Sequence, residues 1–367
     1  MSKIISVYFN GTDDENDVPL HGYITLATLL DQMTVKDDNK NISICVNGCG
    51  VESKDIRDLG MIFTFHLEQQ VIKIAKKVER MINDSNEKII LNIYGFSRGG
   101  AAAFLLCQKL KSISSERLTI NVASFEPVPG NFISGAYSDV LLGINTTLSA
   151  AVADLTECSN IANMLILFTN QPLPDIACHA PILPVLPPDC KSEVDVTPGC
   201  HKGSVSYYKL VNEIQATNDE SAIVFHRIVE FMQKCGTSFN FNKFKLNNDL
   251  IDSDDKKKVL KMYDNLAQKM SFGNDVRDRP MHFLNTIFTA KNIKKYLNRY
   301  HQQLCHVDVN DQDCALTVQN RKPQRIDPSQ RKVILLMEAA IFLASVWMIR
   351  NKYFNESSAN NSFRMKF

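Results

Sequence analysis

The chain has almost no net charge. Its 367 residues carry 41 Lys and Arg against 40 Asp and Glu, a balance of +1. No bulk field is available to hold a polyanion, and no basic cluster is interleaved with aromatic residues, so nucleic acid is not an expected partner. A leader sequence is not expected either. Residues 1–9 read as a strand, too short for a signal peptide and without a small-residue cleavage site, and a cytoplasmic chain is expected. Paired cysteines are lacking too. The ten cysteines, among them Cys45, Cys49, Cys107, Cys158, Cys178, Cys190 and Cys200, contain no CxxC pair. Without a leader, free buried thiols are the expectation rather than disulfides. No segment of the chain repeats.

What is present is an ordinary globular composition, 44% hydrophobic and 22% charged, on a chain long enough to bury a large core. Its first two-thirds alternate apolar runs with helical patterns, the mark of a parallel sheet with crossover helices. Residues 4–9, 42–46, 88–94, 118–125 and 164–168 read as strands, and a short run at 194–196 as the last one. Between them, Val71, Ile74, Ala75, Val78 and Ile82 fall at helical spacing, and residues 101–111 form a second helix. A loop containing Pro172, Pro174, Pro181, Pro184, Pro187 and Pro188 follows the fifth strand; loops of that length are often functional.

From Ser221 onward the pattern turns helical, at residues 221–235, about 255–270 and 283–304. Residues 333–349 form a strongly apolar run, slightly short for a membrane span and interrupted by Glu338. Two readings stay open for it: a core helix that closes the fold, or a tail that contacts membrane. The expected domains are 1–235, a helical extension or cap over 236–330, the apolar helix over 331–352 and a disordered tail over 353–367.

Chemistry enters at Tyr94-Gly95-Phe96-Ser97-Arg98-Gly99-Gly100. A serine hydroxyl attacks a carbonyl only if a base takes its proton and if it stands clear of the sheet. A sharp strand-to-helix turn achieves the second condition, and it needs small residues beside the serine. Gly95 and Gly99 flank Ser97 at that spacing, with Gly100, Ala101, Ala102 and Ala103 keeping the helix start slim. The expected fold is therefore α/β, an α/β-hydrolase-like parallel sheet with flanking helices and a helical C-terminal extension. An acid and then a histidine should follow in chain order. His201, just after the last strand signal, is the candidate general base, with His179 as competitor. Asp175 and Glu126 are the candidate acids; the reading leans to Asp175 and leaves both open. The oxyanion donors are expected from the backbone of Arg98 and from the loop Asn10-Gly11-Thr12.

Several of these strings together resemble a known family. Phe9-Asn10-Gly11-Thr12 is similar to the F-D-G-T opening, and Gly95-Phe96-Ser97-Arg98-Gly99 to the G-F-S-R-G elbow, of the α/β-hydrolase domain of type VI secretion phospholipase effectors. Gly48-Cys49-Gly50, Phe125-Glu126-Pro127-Val128 and Pro198-Gly199-Cys200-His201 resemble its G-V-G, W-D-T-V and P-G-V-H segments. The likeness covers roughly residues 3–205, and the longer strings look closest to effector-like proteins of intracellular bacterial pathogens. It implies lipid ester substrates, His201 as catalytic base, and delivery into a host cell by a specialised secretion system. Three departures stand out: Asn10 replaces an Asp, Glu126 replaces an Asp, and Lys202-Gly203-Ser204-Val205 replaces D-V-G-G after the histidine.

Three function classes follow. The first is a serine esterase, lipase- or phospholipase-like, acting on a lipid or small ester, with membrane contact through residues 333–349. The second is a catalytically silent interaction module on a hydrolase scaffold, suggested by the lost D-V-G-G. The third is a metal site from Cys178, His179, Cys190, Cys200 and His201, whose spacings match no usual zinc pattern. No metal or other cofactor is expected.

Overall fold

The apolar opening of the chain forms β1 (Lys3–Phe9), with residues 5–9 buried because helices cover both faces of a parallel sheet. The structure is a computed structural model. It describes residues 2–12, 22–37, 40–49, 51, 67–84, 86–128, 154–169, 184–197, 199–246, 250 and 261, with strand backbone at 278–280, 286–290 and 316–320. In chain order the further elements are β2 (Tyr23–Thr25), α1 (Leu26–Met33), β3 (Asn41–Val46), α2 (Leu67–Asn83), β4 (Ile89–Phe96), α3 (Arg98–Leu110), β5 (Leu118–Phe125), β6 (Ile161–Thr169) and β7 (Lys191–Thr197). A 3-10 turn (Gly203–Val205), β8 (Ser206–Lys209), β9 (Glu213–Ala216), α4 (Asp219–Lys234) and β10 (Lys245–Leu246) complete the main body.

Six strands make one parallel sheet in the order β3-β1-β4-β5-β6-β7. The protein is therefore of the α/β class, a parallel central sheet with flanking helices. Each helix forms for a legible reason. In α2 the buried residues Leu67, Val71, Ile74, Ala75, Val78 and Ile82 recur every three to four positions, and Lys and Glu occupy the outer face. The α3 helix is buried nearly all round, from Arg98 to Cys107, which requires its Gly- and Ala-rich start. In α4, Asn218 accepts from the Ser221 amide and the Ser221 hydroxyl pairs back at Asn218, a reciprocal cap. Every fully buried Leu, Ile or Phe along this core contributes roughly 1.5–3 kcal/mol of burial.

A polar stripe crosses the middle of the sheet and fixes its register. Ser6, Asn92, Asn121 and Asn163 stand side by side on β1, β4, β5 and β6. Asn163 donates to Asn121 at 2.7 Å and Asn121 to Asn92 at 2.8 Å. The Asn92 amide in turn donates to the Cys235 carbonyl and the Thr237 hydroxyl, and Ser6 meets the same hydroxyl at 3.1 Å. Slipping any strand would leave these buried amides unpartnered, at about 1–3 kcal/mol each. The carboxyl ends of the strands are thereby held level, and the segment that follows α4 is tied to the sheet.

The sheet strands match the sequence expectation, with β6 and β7 longer than expected. The short strands β2, β8, β9 and β10 form a second sheet, in the order β10-β9-β8-β2, that the sequence pattern does not announce. One expectation is corrected. Where periodicity predicts a helix over 283–304, residues Thr286–Ala290 form a strand, β12, paired with β11 (Asp278–Pro280) and β13 (Leu316–Asn320). Its sequence, Thr-Ile-Phe-Thr, is β-branched and aromatic, a composition that favours strand over helix. The expected helix near 255–270 lies outside the described residues except at Lys261. The chain divides into two units, Met1–Asp139 with Gly143–Arg321 and Val140–Leu142 with Lys322–Phe367, and all described residues belong to the first. The apolar run at 333–349 lies outside them. Among the described residues no helix is long and apolar enough to cross a membrane.

Candidate active site

The strand order places the site. From β1 the chain moves to β3 on one side, then returns to β4 on the other side of β1. In parallel sheets such a reversal opens a crevice at the carboxyl ends of the two strands, the usual place for a ligand. Here those ends are Phe9-Asn10 and Phe96-Ser97, and Phe9 pairs with Gly95.

Ser97 occupies the turn between β4 and α3 with φ 54° and ψ −121°. An L-residue rarely adopts this conformation, and the surroundings hold it there. The Ser97 amide donates to the Phe125 carbonyl at 3.1 Å. The Ser97 carbonyl accepts from Gly100, Ala101 and Val128. The turn also needs close backbone approach. A Cβ on Gly95 would lie 2.2 Å from the Gly99 carbonyl oxygen, and one on Gly99 would lie 2.5 Å from that of Phe9. The small residues expected beside the serine are thus required by contact with the preceding strand and with β1.

His201 Nε2 lies 3.0 Å from Ser97 Oγ, and its Nδ1 lies 3.2 Å from Glu126 Oε2. All three side chains are buried. Phe96, the residue before the serine, stacks obliquely on the imidazole with ring centroids 4.8 Å apart. Glu126 stands immediately after β5, and Phe125 pairs with Phe96, so the acid and the serine leave adjacent strands side by side. Glu126 also takes a positive φ, 48°. Its amide donates to the Leu167 carbonyl, and its Oε1 accepts from the Thr169 amide at 2.6 Å, both on β6. One carboxylate oxygen is therefore occupied by β6 backbone, which leaves the other aimed at the imidazole.

The loop that carries His201 is shaped by Gly199. Its φ is 118°, and a Cβ there would lie 2.5 Å from Ser204 Oγ and 2.6 Å from Glu220 Cγ. Ser204 Oγ donates to the Cys200 carbonyl at 2.8 Å, closing the loop around the histidine. Gly199→Ala should therefore destabilise the protein by about 2 kcal/mol, through both backbone strain and the clash with α4. A thermal midpoint several degrees lower is the expected reading; an unchanged midpoint would show that the loop relaxes freely.

The structure thus brings together Ser97, His201 and Glu126 from the expected residues. Arg98 is the first residue of α3, and Gly11 is buried at the end of β1, next to Thr12. Asp175, His179 and Cys178 lie outside the described residues. Glu126, rather than the slightly preferred Asp175, is the carboxylate found against His201. Among the described residues no group of three His, Cys, Asp or Glu could hold a metal ion. Burial pushes the thiols of Cys158, Cys190 and Cys235 up to about 11 and that of Cys107 well above its ordinary value. At neutral pH such groups hold almost no thiolate. A surface depression of about 420 Å³ lined by Glu79, Ile82, Asn83, Ile113 and Arg117 sits at the opposite, amino-terminal edge of the sheet. The sequence reading assigns no supporting role to Thr169, Phe96 or Gly199. For Phe96 and Gly199 a signal exists, since each lies one or two residues from a candidate.

No family model and no curated protein matches the chain. Among solved structures it is similar to an uncharacterized protein from Pseudomonas aeruginosa, at 11% identity and a TM-score of 0.44, over 73% of this chain and 51% of that one. It is also similar to Est1E from Butyrivibrio proteoclasticus, at 12% identity and a TM-score of 0.31, over 64% and 88% of the two chains. The chain thus spans about half the length of the first of these structures.

Proposed function

We propose that the protein is a serine hydrolase of α/β-hydrolase type that cleaves carboxylic esters, with Ser97 as nucleophile, His201 as general base and Glu126 as the acid. The observation that carries this reading is the unbroken chain from Ser97 Oγ through both imidazole nitrogens to Glu126 Oε2, at 3.0 and 3.2 Å. A carboxylate can only accept, so it holds the proton on His201 Nδ1 and leaves Nε2 to accept from the serine. A silent scaffold would have no need of that alignment.

In this mechanism Nε2 takes the Ser97 proton as Oγ bonds to the ester carbonyl carbon. The negative charge that develops on the carbonyl oxygen is stabilised by the Arg98 amide and by the amides of the Gly11-Thr12 loop. Arg98 opens α3, where amides lack intrahelical acceptors and the helix dipole favours negative charge. Collapse breaks the C–O bond, and His201 returns its proton to the departing alkoxide. Water then attacks the acyl-Ser97 carbonyl, His201 takes a proton from it, and the acid product leaves as Ser97 regains its hydrogen.

Lipid esters are the proposed substrate class, on the strength of the sequence resemblance around Gly11, Ser97 and His201. A fluorophosphonate probe tests the reaction class directly, because it phosphonylates only a serine activated in this way. The native protein should carry one adduct, on the peptide containing Ser97, and His201→Ala should slow labelling by about 10³-fold or more. Absence of the adduct from the native protein, or equal labelling of the variant, would overturn the proposal.

A further inference from the structure

We propose that Asn10 is a positioning residue for the oxyanion loop: its side-chain amide locks the end of β1 so that the Gly11-Thr12 amides are held beside the nucleophile turn. This rests on the ester-hydrolysis reading and concerns a side chain that the reading does not itself use.

Asn10 is 1% exposed, yet it is polar at both ends, so each end needs a partner. Its Oδ1 accepts from the hydroxyls of Thr25 and Thr28. Its Nδ2 donates to the Val46 carbonyl at 3.2 Å, and lies 3.4 Å from Thr28 Oγ1 and 3.5 Å from Cys45 Sγ. The Asn10 backbone amide donates to the same Val46 carbonyl at 3.1 Å. The residue is thus fixed from two sides, by the carboxyl end of β3 and by the start of α1.

A third contact connects this lock to the chemistry. A Cβ on Gly99 would lie 2.6 Å from the Asn10 carbonyl oxygen, so that carbonyl packs against the residue two positions after Ser97. The Asn10 carbonyl and the Gly11 amide belong to one planar peptide unit. Whatever fixes the first therefore sets the plane from which the donor loop departs. Cys49 Sγ lies within 3.5 Å of Thr12 Oγ1 and supports the loop one residue further on. The residue type fits the partners: two hydroxyls find an acceptor in Oδ1, and Nδ2 gives the Val46 carbonyl a second donor beside the Asn10 backbone amide. An ionised aspartate, which the resembling family carries here, would keep the hydroxyl bonds and lose the donor to Val46.

The test compares Asn10→Asp, which keeps only the acceptor, with Asn10→Leu, which keeps neither. The readouts are p-nitrophenyl butyrate hydrolysis, inhibition by an alkyl trifluoromethyl ketone and thermal unfolding. The ketone adds the serine and places an oxyanion where the ester's would form, so it reports on the donors. The expected result is a fall in kcat of about 10-fold for Asn10→Asp and about 100-fold for Asn10→Leu, with KM within about twofold. The inhibition constant should rise by the same factors as kcat/KM falls. Should Asn10→Leu fail to fold, Thr25→Val, which leaves Asn10 in place with one partner fewer, should show a smaller fall of the same kind. Folded variants with unchanged kcat, or with kcat lowered and the ketone constant unmoved, would overturn the role of Asn10. Ser97→Ala is run beside them: native turnover that survives it would overturn the esterase reading itself.

Discussion

Ser97→Gly should give a protein that melts above the native one and hydrolyses esters about 10⁶-fold more slowly. The two effects have one cause. At φ 54° and ψ −121° a side chain is held in a conformation that only glycine adopts without strain. Such strain is worth about 1–3 kcal/mol, and it persists because the bond from the Ser97 amide to the Phe125 carbonyl, the three donors to the Ser97 carbonyl and the packing of Gly95 on Gly99 all fix the turn. Glycine removes the strain and keeps every one of those bonds, since none involves the side chain, while the hydroxyl's bond to His201 Nε2 is lost. Part of the gain is offset, by about 0.4–1 kcal/mol, because the unfolded chain becomes more flexible.

The net gain should be about 1 kcal/mol, read as a thermal midpoint roughly 2–4 °C higher for a domain of this size. The lost activity is the absent nucleophile, and what remains should be the small acceleration that binding and oxyanion donors provide alone. Calorimetry and p-nitrophenyl ester turnover on the same preparation measure both. A midpoint that falls would mean that the serine side chain stabilises the turn. Turnover that survives would mean that chemistry happens elsewhere.

The site was legible in the sequence to the extent that it is local. Ser97 is announced by a turn whose small residues are all within three positions, and His201 by its place after a strand. The acid is not local. Its identity depends on which strand lies beside β4, and a sequence gives strand existence more readily than strand order. One cue was available: residues 93–97 and 122–126 both run as two or three small or apolar residues, then Phe, then one polar residue. Paired in register, Phe96 on Phe125, they place Ser97 and Glu126 next to each other. The support for Glu126 from Thr169 was beyond reach because a backbone donor has no residue signature. The four short strands of the second sheet escaped for a related reason: two to four residues are too few for any period to show. The asparagines at 92, 121 and 163 read as interruptions of apolar strands, and only the register reveals that they answer one another.

Glu126→Gln should lower kcat by about 10³–10⁴-fold while leaving the fold intact. The substitution preserves shape, so the argument turns on hydrogens alone. Glu126 Oε1 is already committed to the Thr169 amide at 2.6 Å, and a glutamine must keep its carbonyl oxygen there, because its NH₂ would meet another donor. The NH₂ is then forced to face His201 Nδ1, now as a donor. The imidazole can satisfy it only by moving its proton to Nε2, which presents an N–H to Ser97 Oγ where the mechanism needs a lone pair. The base is still present, in the wrong tautomer. Stability should change little, since each buried atom of residue 126 retains a partner. Fluorophosphonate labelling of Ser97 should slow by a similar factor, because it needs the same base. If Glu126→Gln retains most of its activity, another carboxylate orients His201, and Asp175 becomes the residue to replace next.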